Sequence, residues 1–200
     1  VEADDGSTIV DLAFLKIETQ TGRSAGDSEL LNGAVVNKDP VHEDMPTDLE
    51  DAKALLVDEA LELDEAEADT SVSVTDPNQI QDFLDQEEKQ LRQIVDKIVD
   101  IGADVVFCQK GIDDMVQHYL AKEGILAVRR VKRSDIEFLR EVLGAEVVSD
   151  LDGATEEHLG VGTVERDEDA ELFYVEGTGD VVHGVTLLLR GSTDHVVDEI

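Results

Sequence analysis

The chain carries one cysteine, no tryptophan, three prolines and five phenylalanines in 200 residues. With aromatic residues at 4%, a core must be built from Val, Ile, Leu and Ala. The single Cys108 excludes an internal disulfide framework. Its apolar run, Val105-Val106-Phe107-Cys108, suits a buried and inert thiol. No run approaches the roughly 20 apolar residues of a membrane-spanning helix. The acidic opening Val1-Glu2-Ala3-Asp4-Asp5 has neither part of a signal peptide, so a cytoplasmic location is expected. There is no initiator methionine, and the chain stops at Ile200 inside a helical pattern; a segment of a longer polypeptide is expected.

Motifs that carry chemistry are missing too. There is no G-x-x-x-x-G-K-[ST] phosphate loop, and neither Gly160-Val161-Gly162 nor Gly22 with Gly26 sits between a strand and a helix as a dinucleotide site requires. The five histidines, His42, His118, His158, His183 and His195, form no H-x-x-x-H pair, so metal ligation is not expected. His118 as a general base is weaker than a plain helix-surface histidine. Close acid pairs carry no information among 49 carboxylates. No catalytic set emerges, and an enzymatic role stays open only as a small α/β hydrolase with its site near Lys110 and Asp113.

Positive charge is scarce. Sixteen Lys and Arg face 49 Asp and Glu, for a net charge of −33. The acids are interleaved with apolar residues at regular periods, and 41% of the chain is hydrophobic, which excludes a disordered acidic tail. Binding to a basic partner is one reading of the charge. Adaptation to a very salty cytoplasm explains it better, because at 1 M salt the Debye length is roughly 3 Å and self-repulsion is screened. In dilute buffer the same charge destabilises the compact state. It also argues against general nucleic-acid binding. One basic cluster, Arg129, Arg130, Lys132 and Arg133, spans a strand end and a helix start, where local salt bridges are expected.

What is present reads as alternating strands and helices. Strands are expected near residues 8–18 and at Ala34-Val35-Val36, and the two prolines of Lys38–Pro46 make that stretch a loop. Ala54-Leu55-Leu56-Val57 suits a buried strand, and the period of two at Leu61, Leu63, Val72 and Val74 suits half-buried ones. Asp76 then fits an N-cap and Pro77 a first helical position. Ile80, Phe83, Leu84, Leu91, Ile94, Val95 and Ile98 recur at helical spacing, predicting a helix over about 78–100, roughly 35 Å long and ended by Gly102. A βαβαβ unit follows: a strand at 105–108, a helix at 111–123, a strand at 125–131, a helix opened by a capping box at Ser134-Asp135-Ile136-Glu137 and closed by Gly144, and a strand at 146–148. The tail returns to β at 162–166, 172–175 and 185–189, and Ser192 opens a further helix. A mixed α/β domain, with parallel and antiparallel strands in packed layers, is expected.

Two features stand out. If the long helix projects from the globule, Ile80, Phe83 and Leu84 form an exposed apolar patch of the kind that marks a protein-interaction site; if it packs down, they are core. The turn Gln109-Lys110-Gly111-Ile112-Asp113-Asp114 lies at a strand's C-terminal end, a common place for binding groups.

The sequence also resembles a known family. Thr75–Leu91 (TDPNQIQDFLDQEEKQL) resembles the helical protrusion of archaeal group II chaperonin (thermosome) subunits, and Val106–Lys132 resembles the strand-helix-strand after it. Asp39–Pro46 and Leu189–Glu199 match further signatures. Departures are mainly to Asp and Glu, as in a salt-adapted, haloarchaeal-type host. The resemblance implies a swivelling β/β/α apical-domain fold at 22–186, with a long protrusion at about 75–101, flanked by intermediate-domain portions at 1–21 and 187–200. It implies a segment of an ATP-driven double ring that captures and encloses unfolded proteins, with other chaperonin subunits as partners and the protrusion as a built-in lid. ATP and Mg belong to the full-length protein and no cofactor to this segment; no nucleic acid or membrane partner is implied. On this basis Ile80, Phe83 and Leu84 are the lid and capture contacts. Gln117, His118 and Lys122 are expected to face the chamber, while Ile112, Val116 and Leu120 pack inward. A stand-alone interaction module is the remaining alternative.

Overall fold

The computed structural model describes residues 14–63, 77–178, 184–193 and 195. The strand expected at Val72 and Val74, the cap at Asp76 and most of the helix expected after Ser192 lie outside them. In chain order the elements are β1 (Leu15–Thr21), β2 (Glu29–Asn32), β3 (Ala34–Val36), β4 (Asp48–Val57), α1 (Pro77–Ile101), β5 (Val105–Cys108), α2 (Asp114–Lys122), β6 (Leu126–Val128), α3 (Arg133–Leu143), β7 (Val147–Val148), β8 (Gly160–Asp167), β9 (Leu172–Gly177) and β10 (Val185–Gly191).

The apolar runs fix the centre. Leu55–Val57, Val105–Cys108 and Leu126–Val128 are wholly buried, as strands covered on both faces require. They pair in parallel, β4 with β5 and β5 with β6. The other edge of β4 is shared: its end pairs in parallel with β7, its beginning antiparallel with β8. β8 continues to β9 and β9 to β3, both antiparallel. A seven-stranded mixed sheet results, in the order β3-β9-β8-β4-β5-β6 with β7 attached to β4. The helices cover it. α1 contributes Leu91, Val95, Ile98 and Ile101 to the core, α2 contributes Val116 and Leu120, and α3 contributes Ile136, Phe138, Leu139, Val142 and Leu143.

A second sheet lies apart, in the order β1-β10-β2, with β1 and β10 parallel and β2 antiparallel to β10. Its own apolar core is small: Val35, Ala170, Leu172 and Leu188. Polar contacts make up the difference. Lys16 of β1 donates to the Val35 carbonyl at 2.7 Å and pairs with Asp135 of α3 at 2.9 Å. Arg190 of β10, 1% exposed, reaches Gln20, Glu29 and Tyr174. The chain passes from one sheet to the other at Gly33, whose φ is +93° and where a Cβ would stand 2.1 Å from the Val175 carbonyl oxygen. Only glycine fits there.

Three local expectations need correction. Ser134 does not cap α3; the helix begins at Arg133 with Lys132 as N-cap and no side-chain capping bond. The stretch Leu61–Leu63 is no strand but one isolated bridge, Leu61 to Ile112. β4 begins six residues earlier than its apolar run, at Asp48, where an irregularity between Leu49 and Ala52 re-aims the strand.

Candidate functional site

α1 divides into two unlike halves. From Leu91 onward, Leu91, Val95, Ile98 and Ile101 fall at spacings of three and four and are buried, with Ile94 half-buried and Val99 exposed on the outer face, which ties that half to the sheet. From Gln81 to Gln90 no residue is buried. Phe83 is 48% and Leu84 51% exposed. The side chain of Ile80 lies outside the described residues.

Among the described residues, α2 contacts the first half of α1 through Tyr119. The Tyr119 hydroxyl donates to Glu88 Oε1 at 2.8 Å, and that bond raises the phenol pKa. The Arg92 guanidinium lies 5.1 Å from the same ring. Leu84 stands one turn before Glu88 on the same helix.

On α2, Ile112, Val116 and Leu120 are buried as expected. His118 and Lys122 are exposed. The His118 ring lies 5.8 Å from His42 of the 37–47 loop and 6.0 Å from Tyr119, and Lys122 Nζ lies 5.8 Å from the Tyr119 ring. Gln117 does not face outward. It is 6% exposed, and its Nε2 donates to the Ile112 carbonyl at 2.6 Å and to Asp114 Oδ1 at 3.2 Å. It sits about 60° from Leu120 on the helical wheel, at the margin of the buried arc, and a free backbone carbonyl draws its amide inward. Tyr119, His42 and Arg92 escaped the sequence reading. The available signal was the placing of Tyr119 between His118 and Lys122, with Glu88 and Arg92 four apart on the facing helix.

Cys108 offers no nucleophile. Burial pushes its thiol up to about 11, only partly offset by backbone hydrogen bonds, and Sγ donates to the Glu59 carbonyl at 3.3 Å. Nor do the described residues group three or more His, Cys, Asp or Glu so as to hold a metal ion. No helix among the described residues is long and apolar enough to cross a membrane.

The profile of the TCP-1/cpn60 chaperonin family matches residues 1–200. The chain belongs to the TCP-1/cpn60 chaperonin family. Thermosome subunit 2 of Haloferax volcanii is 66% identical over 200 residues, covering 100% of this chain and 36% of that protein. Thermosome subunit beta of Halobacterium salinarum is 64% identical with the same coverage. The open-state monomer of a group II chaperonin from Methanococcoides burtonii superposes with a TM-score of 0.80 at 39% identity, over 99% of this chain and 44% of that one. This chaperonin-family chain therefore spans a little over a third of the length of the curated relatives it matches. Its two haloarchaeal relatives agree with a salt-adapted composition.

Proposed function

We propose that this chain is the substrate-binding and lid-forming segment of a cytoplasmic, ATP-dependent group II chaperonin subunit that captures and encloses unfolded polypeptides. In this reading residues of about 22–186 form the apical domain, and the flanking portions 1–21 and 187–200 belong to an intermediate domain that passes on motion. The nucleotide chemistry sits elsewhere in the full-length subunit.

The exposure of Phe83 and Leu84 on the first half of α1 carries the reading. Unfolded chains present apolar groups, and covering such surface is worth about 25 cal/mol per Å². Each of these side chains is already half covered, so a client gains only about 1 kcal/mol per residue here. That is too weak for one copy. Several copies around a ring would act together, which turns weak contacts into useful retention. Closing the protrusions over the chamber would bury the same residues between subunits and release the client inside. Exposed His118 and Lys122 supply polar contacts on the neighbouring helix.

The test is suppression of aggregation of a denatured protein in high salt by the full-length subunit assembled as a ring. Phe83→Asp should weaken suppression at least threefold with the fold intact. Unchanged suppression would count against the patch. Turnover of an ester or peptide substrate by the chain would favour the hydrolase instead.

A further inference from the structure

Local salt bridges are the ordinary fate of a cluster such as Arg129, Arg130, Lys132 and Arg133. Among the described residues only Arg133 makes one, from Nε to Glu137 Oε1 at 2.9 Å. Among the described residues the exposed side chains of Arg129, Arg130 and Lys132 have no ion pair or hydrogen bond. In a chain with 49 acids to 16 bases, a carboxylate for each would be easy to supply.

These cations also stand where the backbone does not favour them. Arg130 has φ +54°, a conformation that costs residues other than Gly, Asn and Asp. Lys132 holds the N-cap of α3, where Ser, Thr, Asp or Asn would bond the first amides. Lys132 and Arg133 both sit at the positive end of the helix dipole. Folding alone would select other residues at these positions.

The place is equally telling. The Arg130 amide donates to the Lys110 carbonyl at 2.9 Å, so the C-terminal ends of β5 and β6 come together there. Lys110 lines a cleft with Ile94 and Lys97 of α1 and with the carboxylates Glu59, Glu62, Asp150 and Asp152.

We propose that Arg129, Arg130 and Lys132 hold the carboxylates of an extended, Asp- and Glu-rich segment of the captured polypeptide. This rests on the capture reading and adds a substrate class to it. A body of charge −33 repels an acidic client. Salt removes the long-range part of that repulsion but provides no grip. One exposed contact between a cation and a carboxylate is worth little, but three on one extended segment act together. Three neighbouring cations with no partner among the described residues provide that grip.

The experiment titrates the chain into fluorescent poly-L-glutamate of about 20 residues in about 2 M KCl, reading anisotropy. The variant is Arg129→Gln, Arg130→Asn, Lys132→Gln, with Asn chosen because it tolerates a positive φ. Binding should fall at least about tenfold, while Arg140→Gln, an exposed α3 cation paired with Glu141, leaves it unchanged. Circular dichroism checks the fold; if the triple variant is not folded, Arg129→Gln alone should cost about threefold. Unchanged affinity in the folded variant, an equal loss in Arg140→Gln, or tighter binding of a single-stranded oligonucleotide than of poly-L-glutamate would overturn the proposal. The two readings fail separately. Poly-L-glutamate has no apolar groups and reports only the cations, whereas capture of a denatured protein of near-zero net charge reports only the α1 tip.

Discussion

Asp135 shows how single residues join the two sheets. Its side chain is 6% exposed, and its partner Lys16 is 13% exposed. Removing one member of a buried ion pair leaves the other desolvated, at a cost of about 3–5 kcal/mol. Lys16 keeps Glu18 at 3.4 Å and the Val35 carbonyl, so Asp135→Asn should cost near the lower end, about 3 kcal/mol, read from the urea midpoint in high KCl. Lys16→Met with Asp135→Leu should cost less, because both charges then leave the interior together. Cys108 makes a prediction in pH. Its folded pKa of about 11 lies above the ordinary 9.0, so folding favours the neutral thiol. The associated stability is intact below pH 9.0 and falls as pH rises toward 11, by at most about 2–3 kcal/mol. Cys108→Ala should remove that part of the alkaline decline. At pH 7.5 a maleimide should label the thiol slowly in the native chain and rapidly in denaturant.

At the scale of elements, α1 invites two opposite substitutions. Ile98 is wholly buried, and Ile98→Ala should cost about 2–5 kcal/mol. Phe83→Asp should change stability by no more than about 0.5 kcal/mol, since that side chain contributes to no core. Thermal or urea unfolding of the two variants separates the tethered half from the free one. This division also marks how far the sequence could be read. The period of three and four gave the whole helix, because Ile80 to Ile98 keep one apolar stripe whether or not anything covers it. Nothing in that stripe says where cover ends. The βαβ alternation was legible for the same reason that its strands are buried: β5 and β6 are short unbroken apolar runs bounded by Gly111 and Gly124. β2 was not, since Glu29–Asn32 is exposed or half-buried and its partner β10 lies more than 150 residues away. Gln117 misled because the wheel places it at a boundary, where one carbonyl outweighs the pattern. Lys132 misled because a Ser–Glu pair imitates a cap whose place the basic residue holds.

For the whole molecule, charge sets the conditions under which everything else can be observed. With −33 on 200 residues, the native state should gain stability steeply as KCl rises toward about 1 M, where the Debye length shrinks to roughly 3 Å, and level off beyond it. Denaturation midpoints across a KCl series check this. A midpoint independent of salt would mean that the acids are compensated in a way the surface does not show. Ion pairs such as Lys53 with Glu156, at 2.6 Å and well exposed, should contribute little at any salt. The small sheet, held by Lys16, Arg190 and a four-residue core, should open to hydrogen exchange before β4, β5 and β6 do. The central claim is that the first half of α1 stands clear of the globule with its apolar residues wet until a client or a neighbouring subunit covers them. The most direct measurement compares suppression of aggregation by rings of the full-length subunit, wild type and Phe83→Asp/Leu84→Asp, in about 2 M KCl, beside their denaturation midpoints. Loss of suppression with an unchanged denaturation midpoint is the predicted result. A double variant that unfolds more easily yet suppresses as well as wild type would show that Phe83 and Leu84 serve the core and not the client.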